Sequence, residues 1–120
     1  MQITLLKSKL HRGRVTDCNI DYEGSIEVDE DLLDAVGIRT YEQVHIYDIN
    51  NGNRFVTYAI PGKRGSGTIM VNGAAARLTK INDRIIIAAY GIMDEQEVKK
   101  FKPQIVLLDE NNKILKKKKI

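Results

Sequence analysis

The stretch Val44-His45-Ile46-Tyr47-Asp48-Ile49-Asn50-Asn51-Gly52-Asn53-Arg54-Phe55-Val56-Thr57-Tyr58-Ala59-Ile60 decides the fold. β-Branched and aromatic residues dominate both halves, and Asn51-Gly52 between them is a dipeptide that accepts the positive φ angles of a tight hairpin turn. The expectation is a strand from Val44 to Ile49, a turn at Asn51-Gly52, and a partner strand from Phe55 to Ile60. The same signal recurs along the chain. Ile3 to Leu6, Val15 to Ile20 and Ser25 to Val28 precede the hairpin. Thr68 to Val71, Arg84 to Ala89 and Gln104 to Leu108 follow it. Pro61-Gly62 and Gly65-Ser66-Gly67 mark a loop, and Asn72-Gly73 a second turn.

Helices are few. Asp29 can cap the free amide hydrogens of a first turn that also carries Glu30 and Asp31. Leu32, Leu33 and Val36 form an apolar stripe, and Gly37 can end the helix in a left-handed conformation. Met93 to Phe101 is expected to be a second helical stretch, stopped ahead of Pro103. Many short strands with little helix predict a mainly β protein, a small closed or nearly closed barrel.

Composition narrows the function classes. The 120 residues fit one domain, and one cysteine, Cys18, rules out an internal disulfide and points to a reducing cytoplasm. The N-terminus lacks the layout of a secretion signal, and no apolar run approaches the ~20 residues of a membrane span. With Cys18, His11 and His45 alone, no metal-ligand spacing is present, and no metal is expected. The net charge of +3 hints at nucleic acid, but five of the 19 basic residues lie in 113 to 120. The 14 that remain face 16 acidic residues, a body charge of −2. A phosphate-binding surface needs cations clustered on the fold itself, so neither nucleic acid nor membrane is an expected partner. The division expected is a barrel domain over 1–112 and a solvated, frayed basic tail over 113–120.

Tyr22-Glu23-Gly24-Ser25 is the segment that carries chemistry. Alone it is a flexible turn feeding a strand. Its company changes the reading. Lys9-Leu10-His11-Arg12, Val15-Thr16, Tyr22 to Ser25, Asn51 to Ile60, Arg64-Gly65-Ser66 and Val71-Asn72-Gly73-Ala74-Ala75-Ala76 together resemble the bacterial aspartate 1-decarboxylases, from about Leu5 to Ala89. The segment from Gly91 onward carries little of the resemblance. The resemblance implies a double-psi β-barrel, a homotetramer with sites between subunits, and a catalytic pyruvoyl group made from the chain. Autocatalytic cleavage between Gly24 and Ser25 would give fragments 1–24 and 25–120. L-Aspartate would become β-alanine and carbon dioxide, supplying a precursor of pantothenate and coenzyme A. A maturation-factor protein is a further candidate partner.

The residue types suit those roles. Decarboxylation leaves an electron pair on carbon, and no side chain offers a ketone or imine to receive it, so an acquired group is needed. Ser25 can supply one. Its hydroxyl attacks the Gly24 carbonyl to form an ester, elimination frees the Gly24 carboxylate, and the dehydroalanine hydrolyses to pyruvoyl. By resemblance, Ser25 then forms the Schiff base with substrate and Tyr58 returns the proton. Arg54, a planar two-pronged cation, binds a substrate carboxylate. Thr57 hydrogen-bonds the Gly24 carbonyl during self-cleavage and also contacts substrate, as do Asn72, Gly73, Ala74 and Ala75. Lys9, His11 and Tyr22 support the site.

Strand alternation sets Arg54, Val56, Tyr58 and Ile60 on one face and Phe55 and Thr57 on the other. Arg54 and Tyr58 can then share a substrate, and Thr57 stands apart unless a bulge, strong twist or neighbouring subunit intervenes. Two other readings remain open. Ile26 to Asp29, Leu32 to Ile38 and Val44 to Ile46 also resemble the pattern of swapped-hairpin transcription regulators. An inactive barrel with the same shape is the second.

Overall fold

The computed structural model describes residues 1–119. In chain order they form β1 (Gln2–Arg14), β2 (Asp17–Asn19), β3 (Ser25–Asp29), α1 (Glu30–Val36), β4 (Gln43–Asp48), β5 (Arg54–Gly62), β6 (Ile69–Asn72), a 3-10 turn (Gly73–Arg77), β7 (Arg84–Asp94), α2 (Glu95–Lys100), β8 (Gln104–Leu108) and β9 (Ile114–Lys118). The protein is mainly β, with two short α-helices.

The central hairpin forms with a shifted register. A two-residue turn at Asn51-Gly52 would set Tyr47 against Val56; the structure sets Tyr47 against Arg54 and Val44 against Thr57. The connection is longer because the Asp48 carboxylate accepts the amide hydrogens of Asn50 (2.9 Å) and Asn51 (3.3 Å), folding the chain around its own side chain. Gly52 takes the left-handed φ of 77° that this loop requires. Pro61-Gly62, expected to open a loop, continues β5 opposite Val28 and Asp29 of β3. Here β5 has run past β4, whose pairing starts at Gln43 opposite Tyr58, so a residue without an N–H is tolerated.

The strands form one ladder in the order β2-β6-β3-β5-β4-β7-β1-β8-β9. Three neighbouring pairs are parallel: β1 with β8, β2 with β6, and β3 with β5. Of the closed or nearly closed barrel expected from the sequence, full closure is not formed: β2 and β9 each pair on one side only among the described residues. Between β1 and β2, Val15 N–H donates to Asp83 O (2.9 Å) and Thr16 N–H to Ile69 O (2.8 Å), which continue the β1/β7 and β2/β6 pairings by one residue each. The Thr16 hydroxyl also accepts from Ile69 N–H at 3.0 Å, which splits the strand expected over Val15 to Ile20 and leaves the three-residue β2.

Other boundaries move for local reasons. β1 runs to Arg14 because it lies between β7 and β8, with register shifts at Leu6/Ser8 and Leu10/Gly13. α1 is capped as expected, Asp29 accepting from Asp31 N–H at 2.9 Å and Gly37 closing at φ 69°. The second helix is shorter than expected, because β7 extends through Asp94 and Asp94 with Glu97 then forms a reciprocal cap. Asn72-Gly73 is not a hairpin turn; Asn72 ends β6 and Gly73 opens the 3-10 turn. The basic run is not frayed through its length: Ile114–Lys118 pairs antiparallel with β8, exposed at every residue. Ile120 lies outside the described residues.

One apolar core joins the sheet to α1. Leu10, Val15, Ile26, Val28, Val44, Ile46, Ile69, Val71, Ile85 and Ile87 are fully buried, with Leu33 and Val36 of the helix packed on them. Fully burying each such side chain is worth ~1.5–3 kcal/mol.

Candidate active site

The core face of β3, β5 and β6 is marked by Ile26 opposite Val71 and by Ile26 opposite Ala59, all buried. Neighbouring positions therefore point away from the core. Ser25 lies opposite Asn72 on that outer face, and the parallel register of β3 and β5, carried back one residue, brings Tyr58 level with Ser25. Outer does not mean exposed here: Ser25 and Asn72 are both buried. The Asn72 amide donates to the Ser25 hydroxyl at 3.1 Å. This contact fixes the position of the hydroxyl oxygen. The Asn72 carbonyl oxygen is buried with no donor among the described residues. Among the described residues, no carboxylate, imidazole or amine hydrogen-bonds Ser25.

Gly73 completes this corner. Its φ is 74°, and a Cβ built there would lie 2.7 Å from the Gly24 Cα and 3.2 Å from the Tyr22 carbonyl oxygen. The chain therefore brings the Gly24-Ser25 step against Asn72-Gly73, a fit that only hydrogen at the Gly73 α-carbon allows. Gly24 is itself exposed, and apart from its chain neighbours no described residue comes within 4 Å of where its Cβ would be. Tyr22 and Ala74 are exposed and Ala75 packs against the core.

β5 keeps strict alternation. Arg54, Val56 and Tyr58 are exposed, while Phe55 and Thr57 lie opposite the buried Ile46 and Val44 on the core face. Arg54 and Tyr58 thus share a side with Ser25, and Thr57 does not. No hydrogen bond joins Thr57 to Gly24 among the described residues. Lys9 and His11 stand elsewhere, on β1. They line a concavity of about 290 Å³ with Ile105, Leu107, Lys116 and Lys118. Burial, then the Lys9 charge, lowers the His11 pKa below its ordinary value, and its Nδ1 has no partner among the described residues. One chain therefore brings together Ser25, Gly24, Asn72, Gly73 and, on the same face, Tyr58, with Arg54 further along β5. Lys9 and His11 are not joined to them.

The sequence alone did not single out Tyr47, Tyr90, His45 or Tyr41. The Arg54 guanidinium carbon sits 3.9 Å from the Tyr47 ring centroid. The Tyr47 and Tyr90 hydroxyls are 2.7 Å apart, and the Tyr90 ring meets His45 edge-on at 5.0 Å. The Tyr47 hydrogen bond, with burial, raises the Tyr90 pKa above its ordinary value. Tyr41 lies 6.3 Å from the Tyr58 ring. A correct hairpin register would have pointed to Tyr47, since it sits directly opposite Arg54.

Fold and site define a small β-sheet protein with a buried serine hydroxyl held at a Gly-Ser peptide bond, and a cation and a phenol on the same face. Residues 1–115 match the family described as aspartate decarboxylase. The match extends past Gly91, beyond the segments that carried the resemblance in the sequence. The chain is 57% identical over 115 residues to an aspartate 1-decarboxylase of Acetivibrio thermocellus, covering 96% of this chain and 91% of that one. It is 58% identical over 111 residues to that of Albidiferax ferrireducens, covering 92% and 82%. It is 55% identical over 114 residues to that of Ralstonia pickettii, covering 95% of each. The chain belongs to the aspartate decarboxylase family.

Proposed function

We propose that this chain decarboxylates L-aspartate to β-alanine and carbon dioxide, after cutting itself between Gly24 and Ser25. The observation that carries this is the Gly24-Ser25 step, its serine buried, held against Asn72 and Gly73 in a chain more than half identical to aspartate 1-decarboxylases.

The self-cleavage follows from the chain's own atoms. Ser25 Oγ attacks the Gly24 carbonyl carbon as the Ser25 nitrogen leaves, turning the amide into an ester. Loss of the Ser25 α-proton expels the Gly24 carboxylate and leaves dehydroalanine. Water replaces the nitrogen, ammonia departs, and a pyruvoyl group remains at position 25. The surroundings fit that group: the Asn72 side-chain amide is a donor that a carbonyl oxygen at position 25 can accept, and Gly73 has no side chain to crowd the step. Asn72, Gly73, Ala74 and Ala75 would border it, and its carbonyl supplies the electron sink that decarboxylation needs. Arg54 binds a carboxylate of the substrate and Tyr58 returns the proton to the carbon that lost carbon dioxide. Thr57 can act in the cut only when the Gly24 carbonyl reaches the core side of β5. No metal takes part in this scheme. Among the described residues, no three His, Cys, Asp or Glu side chains gather as a metal site.

The finer assembly belongs to the same reading. Three parallel pairs within a nine-strand ladder suit a double-psi barrel whose closure is partial in one chain. The separation of Lys9 and His11 from Ser25 favours a homotetramer in which each site is shared between subunits, Tyr22 lying beside the cut. A helper protein would act on the exposed Gly24 turn. The reaction would run in the cytoplasm; no helix among the described residues is long and apolar enough to cross a membrane.

Intact mass and a β-alanine assay test the proposal together. Active protein should run as fragments 1–24 and 25–120, co-purifying because β1 and β2 remain paired with β7, β8 and β6. Ser25→Ala should give one uncut, folded and inactive chain. Full turnover by an unbroken chain that still carries serine at position 25 would overturn it.

A further inference from the structure

Arg54 makes no ion pair among the described residues, although it is the cation assigned to the substrate. Instead its guanidinium lies over Tyr47, 3.9 Å from the ring centroid. An aromatic face attracts a cation without taking any of its N–H donors. A carboxylate partner would align the same group but would occupy the fork that must receive the substrate. The ring is itself held. Tyr47 pairs with Arg54 across the hairpin, and its hydroxyl meets that of Tyr90 on β7, the next strand. Tyr90 in turn packs edge-on against His45. The guanidinium thus rests on a support that spans β5, β4 and β7, and among the described residues none of its donors is taken.

We infer that Tyr47, anchored by Tyr90, is a positioning residue that holds Arg54 ready for the substrate carboxylate and so sets affinity for aspartate. A free arginine side chain explores many rotamers, and ordering it on binding lowers affinity. The Tyr47 ring removes much of that disorder beforehand. Because the contact acts on binding and not on proton return by Tyr58, its loss should fall on KM and spare kcat.

The inference rests on the assignment of Arg54, and the experiment separates the two. Steady-state β-alanine production is measured for wild type, Tyr47→Leu, Tyr47→Phe, Tyr90→Phe and Arg54→Ala, each checked for its melting midpoint. Tyr47→Leu should raise KM for aspartate about tenfold (~1.4 kcal/mol), with kcat within about twofold. Tyr47→Phe keeps the face and loses only the anchor, so most of the affinity should return, as it should in Tyr90→Phe. These two single-atom changes carry the test if Tyr47→Leu does not fold: each should raise KM about threefold without lowering the melting midpoint. Unchanged KM in Tyr47→Leu and both phenylalanine variants, with Arg54→Ala inactive, overturns the positioning role and leaves Arg54 in place. A fall in kcat that tracks the melting midpoint means the ring is merely structural, which also overturns it. Normal KM and kcat in Arg54→Ala would instead remove the assignment of Arg54.

Discussion

A buried amide oxygen without a donor is uncommon in folded proteins, and Asn72 has one beside the Ser25 hydroxyl. Gly73 shows how little room the corner leaves. Gly73→Ala would place a methyl 2.7 Å from the Gly24 Cα and 2.8 Å from its nitrogen, at a φ of 74° that alanine resists. The expected outcome is a lower melting midpoint, by ~1–3 kcal/mol of stability, together with slowed or lost cleavage on denaturing gels. A fully cleaved variant of wild-type stability would show that the close approach does not matter. Tyr58 stands level with Ser25 on the outer face, and Tyr58→Phe keeps the ring while deleting the acid. Its kcat should fall about 10²- to 10⁴-fold while the cut proceeds normally; wild-type turnover would move proton return to another group.

Elements explain why these residues arrive where they do. Asp29 serves two of them. Buried at the end of β3, it caps α1 and accepts Gly65 N–H (3.1 Å) and Gly67 N–H (2.9 Å) from the loop after β5. Asp29→Ala leaves three backbone donors without their acceptor, so a loss of ~2–4 kcal/mol in urea unfolding is expected, larger than the ~1 kcal/mol of an ordinary cap. A change under about 1 kcal/mol would mean water replaces the carboxylate readily. The cap role was legible, because Asp29 stands before an apolar stripe; the loop bonds were not, because they join residues 36 and 38 positions apart. The hairpin divides in the same way. Strand composition placed β4 and β5, but the register depended on Asp48 folding back onto Asn50 and Asn51, a side-chain choice that the Asn51-Gly52 signal masks. Alternation correctly separated Arg54 and Tyr58 from Thr57. It had no means of showing that Tyr47 and Tyr90 lie beside Arg54, since that contact spans three strands.

Across the whole molecule, pH is expected to act through groups of opposite sign. His11, its pKa lowered by burial and then by Lys9, takes up a proton less readily in the folded protein than in the unfolded one. Its contribution to stability is present above the unfolded value near 6.5 and is lost as pH falls through the depressed folded value. Asp83, raised by burial and by its bond to Asp48, works in the other sense and gains stability as pH falls through its raised value. Comparing wild type with His11→Asn cancels the Asp83 effect. The wild-type urea midpoint should drop more between about pH 7.5 and 5 than that of the variant. Equal slopes would show that His11 is as free to charge in the folded protein as in the unfolded one.

β9 has a consequence of a different kind. It is the outer strand of the ladder, with one side paired to β8 and the other offering open N–H and C=O groups to any strand that approaches. Such an edge is a template for stacking chain upon chain. Here Lys116, Lys117 and Lys118 occupy consecutive positions, so cations project from both faces of the strand. A second copy arriving in register would bring like charges together along its length. The basic run that resembled a nucleic-acid arm in the composition acts in this setting as a fence against self-association. Replacing Lys116 to Lys118 with threonine would keep the strand and remove the fence, leaving a protein that folds but gathers into larger particles as its concentration rises.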